Sequence, residues 1–194
     1  MEWRIVGGHA ALDLANTVAP RSPGTVEEDH LSDPAALLDW AQRAGVVDEA
    51  EAVQVAQAWA PEEALADALE IRAMVDDTLH GRRLAALTRR WAEAMARAEM
   101  LPRETGATLV VGADPAMMIG DRLADALVDL LRHADLSRLR SCPLDEGGCG
   151  WLFLDRSRNQ SRKWCTMEDC GTHAKSRRLT ERRRSASVKQ RAGA

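Results

Sequence analysis

The chain contains four cysteines, Cys142, Cys149, Cys165 and Cys170, in the pattern C-x6-C-x15-C-x4-C, and no others in 194 residues. In a reducing compartment such a cluster reads as a metal site rather than as disulfides. Tetrahedral zinc accepts four thiolates at about 2.3 Å, and two close pairs on separate loops can converge on one ion. Zinc would also supply folding energy to a segment of few apolar side chains. One zinc ion per chain is therefore the expected cofactor.

A run of cations surrounds and follows the cysteines. Arg156, Arg158, Arg162 and Lys163 lie between the pairs, and Lys175, Arg177, Arg178, Arg182, Arg183 and Arg184 come after them. Lys175, Arg178, Arg182 and Ser185 would share one side of a helix. Arginine's planar fork suits phosphate and guanine edges, so these ten cations are the candidate nucleic-acid contacts. The charge balance sharpens the expectation. Residues 1–137 hold 24 acids against 12 arginines, net −12, and residues 138–194 hold 14 basic residues against 6 acids, net +8, which together make the overall −4. A basic tail on an acidic body points to a polyanionic partner, DNA first. The alternative is a zinc-stabilised interaction module whose basic face docks an acidic protein surface.

The acidic part offers little that could do chemistry. It has no cysteine, four scattered histidines (His9, His30, His80, His133) and no P-loop, G-x-S-x-G or H-E-x-x-H pattern, so no enzyme is expected. Its most unusual polar cluster is Gly7-Gly8 followed by Asp13 and Asn16-Thr17 inside an apolar helix. Asn16 and Thr17 could simply bond backbone groups near the helix end. Asp13 and Asn16 are also the candidate ligand-binding residues, with Asn16 orienting a small molecule.

The elements that would position these residues follow from patterning. Trp3–Val6 reads as a short strand turning at Gly7-Gly8 into a helix over about 9–18, and Pro20–His30 reads as loop. Ser32-Asp33-Pro34 caps a helix that runs to Gly45. Further helices are predicted over about 48–59, from Pro61 to about Gly81, over about 84–98, and from Asp114-Pro115 to about His133. Pro102 and Gly106 mark a connection, and Thr108–Val111 is a β-branched run typical of strands. In the cysteine-rich part, Trp151–Leu154 and Arg162–Trp164 read as two strands of a hairpin, with Thr166–Cys170 opening a helix. Trp151, Phe153 and Trp164 would form a small core, while Arg156, Arg158 and Arg162 project outward. The expected fold is α+β: a mostly helical domain over 1–137 with a few short strands, then a small treble-clef-like zinc finger over 138–194.

With 45% apolar and 29% charged residues and no run near the roughly 18 apolar positions of a membrane span, no membrane association is expected. Glu2, Arg4 and Asp13 interrupt any leader-like apolar core, so a cytoplasmic setting is expected.

The segment CGWLFLDRSRNQSRKWCTMEDCGTHAK closely resembles the CGNR zinc finger, whose pattern joins two cysteine pairs to W-x-F-x-D-x-S-x-N-x-x-R-x-W-C-x-M-x-x-C-G. Trp151, Phe153, Asp155, Ser157, Asn159, Arg162, Trp164, Met167 and Gly171 match it along with the cysteines. GGHAALDLANT and LLDWAQRAGV resemble the start of the ABATE domain that precedes this finger. The resemblance implies a bacterial, stress-induced transcription regulator whose N-terminal domain senses a ligand. Two departures stand out: Thr172-His173 replaces the family's Asn-Arg, and the first cysteine loop is two residues longer. A regulator of this size would also be expected to pair as a homodimer on its site.

Overall fold

The computed structural model describes residues 3–21, 26–177 and 179–180. Local chemistry explains where most helices begin. Asp33 accepts the Ala36 N–H at the start of α2 (Pro34–Arg43), with Pro34 in its first turn. Asp48 and Glu51 form a reciprocal capping box on α3 (Glu49–Ala58). Pro61 opens α4 (Pro61–Leu79), and α5 (Leu84–Ala96) and α6 (Met118–His133) follow.

The short α1 (Ala10–Ala15) is buried from Ala11 to Ala15. Its Leu and Ala side chains belong in the middle of a core, and α1 packs against both α4 and α6. The central α4 also touches α2 and α5, and α5 lies along α6. Leu12, Leu14, Leu37, Trp40, Ile71, Val75, Leu123, Leu127 and Leu130 form the main core, each 0 or 1% exposed. Asp121 is sunk in this packing: 0% exposed, it accepts from Arg90 at 2.8 Å and from Arg97 at 2.6 and 2.9 Å, while Arg90 also grips Asp67 of α4. Fully paired, the carboxylate joins three helices, and removing one partner would leave a charge stranded.

Three two-stranded antiparallel sheets complete the described residues: β1 (Val18–Ala19) with β2 (Glu28–Asp29), β3 (Glu99–Pro102) with β4 (Ala107–Val110), and β5 (Leu139–Ser141) with β6 (Leu152–Leu154). The α+β expectation, mostly helical with few strands, holds.

Several elements differ from the sequence reading. Trp3–Val6 forms no strand, because the Asp13 carboxylate takes the Val6 and Gly7 N–H groups that a ladder would need. The first helix stops at Ala15, and Val18 leaves it to pair with Asp29. The expected loop over Pro20–His30 therefore contains β2. Pro102 and Gly106, expected in a connection, belong to the β3–β4 hairpin, whose turn Gly106 makes at a φ of 84°. Residues 114–117 form a turn held by the Asp114 side chain on the Ala116 N–H, so α6 starts later than expected. The hairpin partner also changes. Leu152–Leu154 pairs with Leu139–Ser141, which precedes the first cysteine, and not with 162–164.

Candidate metal centre and its seam with the helical body

The β5–β6 pairing builds the first half of the metal site. β5 delivers Cys142, and a tight loop returns the chain through Cys149 to β6. The loop is closed by bonds from the Cys142 N–H to the Trp151 carbonyl, Gly148 N–H to Pro143, and Gly150 N–H to Cys142. Gly148 is required here, since a Cβ would stand 2.6 Å from the Cys142 Sγ. In the second half Cys165 follows Trp164, and Thr166 caps a π-turn over Met167–Gly171 that carries Cys170. The widened turn, closed by the Gly171 N–H on the Thr166 carbonyl, swings Cys170 toward Cys165. Residues 172–177 continue as α-helix.

All four Sγ atoms lie within 4.8 Å of one another, with Cys149 to Cys165 at 3.4 Å and Cys165 to Cys170 at 3.5 Å. Sulfurs around one tetrahedral zinc would sit about 3.8 Å apart, from Zn–S bonds of about 2.3 Å. Their electrostatics point the same way. The hydrogen bond to Cys142, then that to Cys165, then burial hold Cys149 protonated far above the ordinary thiol range. Cys165 is pushed up to about 12, first by Cys142. Cys142 is held low as the acceptor of both neighbours, so Cys142, Cys149 and Cys165 do not all ionise together in the protein alone. A divalent cation is what allows four thiolates to coexist. The residues present fit one zinc ion, which would hold the two halves together as a structural site.

Trp151, Phe153, Trp164 and Ala174 pack around Cys142 and Cys165 as a second, smaller core, as the sequence led one to expect for the three aromatic residues. The loop between the cysteine pairs is organised by Asp155. Buried at 0% exposure, its Oδ1 accepts the Ser157 N–H and its Oδ2 the Arg162 N–H, while the Ser157 hydroxyl accepts the Ser161 N–H. Asp155 thus holds the turn between the cysteine pairs.

The structure sorts the candidate cations. Arg162, expected to project outward, points inward: it donates to the carbonyls of Trp164, Val6 and Cys165, and its guanidinium lies 4.2 Å from the Phe153 ring centre. Three carbonyls that no other donor reaches among the described residues and a π face explain the inversion. Arg156 is exposed and donates to the Gly8 carbonyl at 2.7 Å. Lys163 is exposed, pairs with Glu146 and lies 5.5 Å from the Trp164 ring centre. Arg158, Lys175 and Arg177 are exposed, with Arg177 lying against Gly147 of the knuckle loop. His173 is exposed on the helix. Arg178, Arg182, Arg183 and Arg184 lie outside the described residues.

The finger is stitched to the helical body at a seam that the sequence did not reveal. Asn16, 3% exposed, acts as an amide clamp: its Nδ2 donates to the Leu152 carbonyl and its Oδ1 accepts the Leu152 N–H, both at 2.8 Å. In the structure the Asn16 amide holds β6, on whose other side no strand lies among the described residues. Trp151 Nε1 donates to the Val18 carbonyl, the Leu154 N–H to Gly7, and the Arg21 N–H to Cys149. Arg4 pairs with Asp169. Leu152 and Leu154 belong to the main core, so β6 is shared by both hydrophobic clusters. Asp13, the other candidate, anchors the Val6 and Gly7 N–H groups and, with Asn16, borders a cavity of about 220 Å³. Single arginines in an acidic half and one asparagine in an apolar helix carry no pattern that would have exposed this seam.

Comparison with known families agrees with this geometry. Residues 138–183 match the CGNR zinc finger. Residues 8–134 match ABATE, described as "Putative stress-induced transcription regulator". No curated protein matches the chain. Among the described residues no helix is long and apolar enough to cross a membrane. The ABATE match spans well over half of the chain and the finger follows it directly, so this protein belongs to the ABATE family and carries a CGNR zinc finger at its C-terminal side.

Proposed function

We propose that the protein is a DNA-binding transcription regulator: Cys142, Cys149, Cys165 and Cys170 hold one zinc ion, the finger presents cations to phosphate, and the helical body senses a small molecule. The observation that carries this reading is the exposure of Arg158, Lys175 and Arg177 around a scaffold whose geometry the thiol cluster sets. A helix held at its base by two ligands loses little freedom when its arginines engage phosphate, which favours binding. Arg178, Arg182, Arg183 and Arg184 continue the charge along the sequence. The reading carries no catalytic step.

The alternative, a basic face docked on an acidic protein surface such as the body itself, is less well supported. The Arg4–Asp169 ion pair across the seam has the opposite sense, with the cation on the body and the anion on the finger. The other seam contacts run largely through backbone groups, and they leave Arg158, Lys175 and Arg177 exposed.

The test uses the zinc-loaded full chain and a labelled DNA duplex. The triple variant Arg158→Ala, Lys175→Ala, Arg177→Ala should bind more weakly across sequences, with the salt slope reduced by about 0.9 for each phosphate that is no longer neutralised. Unchanged affinity in the triple variant would reject the assignment of these residues.

A further inference from the structure

The cavity beside Asp13 is built from parts that come from distant segments of the chain. Trp3 enters from the N-terminal strap, Trp40 from α2 and Trp151 from the finger. They are three of the protein's six tryptophans. Two of their ring N–H groups are engaged outside the cavity, Trp3 with Asp39 at 2.5 Å and Trp151 with the Val18 carbonyl at 2.8 Å, which fixes these indoles in place. At about 220 Å³ the space equals about seven water volumes at ~30 Å³ each.

The polar groups on its wall are short of donors. Asp13 is 4% exposed; both of its N–H donors, from Val6 and Gly7, go to Oδ1, and among the described residues no donor reaches Oδ2. Burial pushes its carboxyl up, against the pull of those two N–H groups. The buried Nδ1 of His30 has no hydrogen-bond partner among the described residues, and the ring's other nitrogen lies 3.9 Å from Glu28. The wall's one arginine, Arg4, is already paired with Asp169. Tryptophan rings and a carboxylate with one oxygen left without a protein donor together select a ligand that is positive and carries N–H donors.

We propose that this cavity binds a small organic ammonium ion, with Asp13 as its counter-ion and Trp3, Trp40 and Trp151 as its walls. The proposal deepens the effector-sensing part of the function above and depends on it for its consequence. The ion would touch Trp151, whose carbonyl accepts the Cys142 N–H, so occupancy bears directly on the zinc knuckle. By linkage, whatever factor the ion imposes on DNA affinity, DNA imposes on the ion.

The probe is n-butylammonium, with n-butanol as its neutral counterpart, titrated into the zinc-loaded full chain at neutral pH and read by tryptophan fluorescence. The ammonium ion should saturate the signal with an affinity about tenfold or more above that of the alcohol. Asp13→Asn should remove that preference, since an asparagine Oδ1 still accepts both backbone N–H groups while the charge is gone. Equal binding of the two probes, saturation by neither, or an unchanged preference in Asp13→Asn would each overturn the proposal. If Asp13→Asn fails to fold, the comparison of probes on the unaltered protein decides alone. DNA affinity measured on the same samples keeps the two readings apart. Ammonium binding without DNA binding rejects the regulator and keeps the site, and DNA binding without ammonium binding does the reverse.

Discussion

Single residues carry the connection between the two family segments, and Asn16 is the clearest case. The residue is 3% exposed, and its amide satisfies both backbone groups of Leu152. Asn16→Ala should therefore destabilise the protein by about 2–4 kcal/mol, the cost of leaving a buried donor and acceptor unpaired, as read by denaturant unfolding. Glu51 makes a pH-dependent contribution of the opposite kind. The paired hydrogen bonds from Arg122, at 2.6 and 2.7 Å, and the capping bond from the Asp48 N–H lower its carboxyl from 4.5 to about 2. A depressed folded value means stability that is present above 4.5 and lost as pH falls toward 2. The stability gap between the protein and Glu51→Gln should be about 2 kcal/mol near pH 6 and should close by about pH 2. A gap that persists at pH 2 would contradict this origin.

Elements show how far residue patterns extend and where they stop. The cap at Asp33 and the long helical stripes were legible because each signal is local in the chain. The metal site was equally legible, since cysteine chemistry needs only residue type and a plausible return of the chain. The partner of β6 was not legible. Leu139-Arg-Ser141 lacks the β-branched and aromatic character of a strand, whereas Arg162-Lys-Trp164 borders a tryptophan, and long-range pairing decides between them. The inward turn of Arg162 was hidden for the same reason: the carbonyls it binds belong to Val6 and to the second cysteine pair. Zinc holds an element whose own core is only a few side chains. Chelation should open the knuckle and π-turn while the helices of the body persist. Hydrogen exchange should accelerate at Cys142, Gly148 and Gly171, with little change in the helical circular dichroism. Loss of the entire helical signal on chelation would mean that the finger and body fold as one unit.

At the scale of the whole molecule, charge and packing are arranged differently. The formal charge divides sharply at the start of the finger, but the seam between the parts rests on backbone hydrogen bonds and shared leucines, with Arg4–Asp169 running against the overall signs. Arg158, Lys175 and Arg177 stay exposed beside this seam, and a cavity touches both parts. The central claim is that the zinc-held finger binds DNA through phosphate. It is tested most directly by measuring zinc content and DNA affinity on one preparation of the full chain while salt rises from about 50 to 200 mM. The account predicts one zinc per chain and an affinity that falls by about a thousandfold or more, as expected if six or more phosphates are engaged. One zinc with no DNA binding, or with binding indifferent to salt, would contradict it.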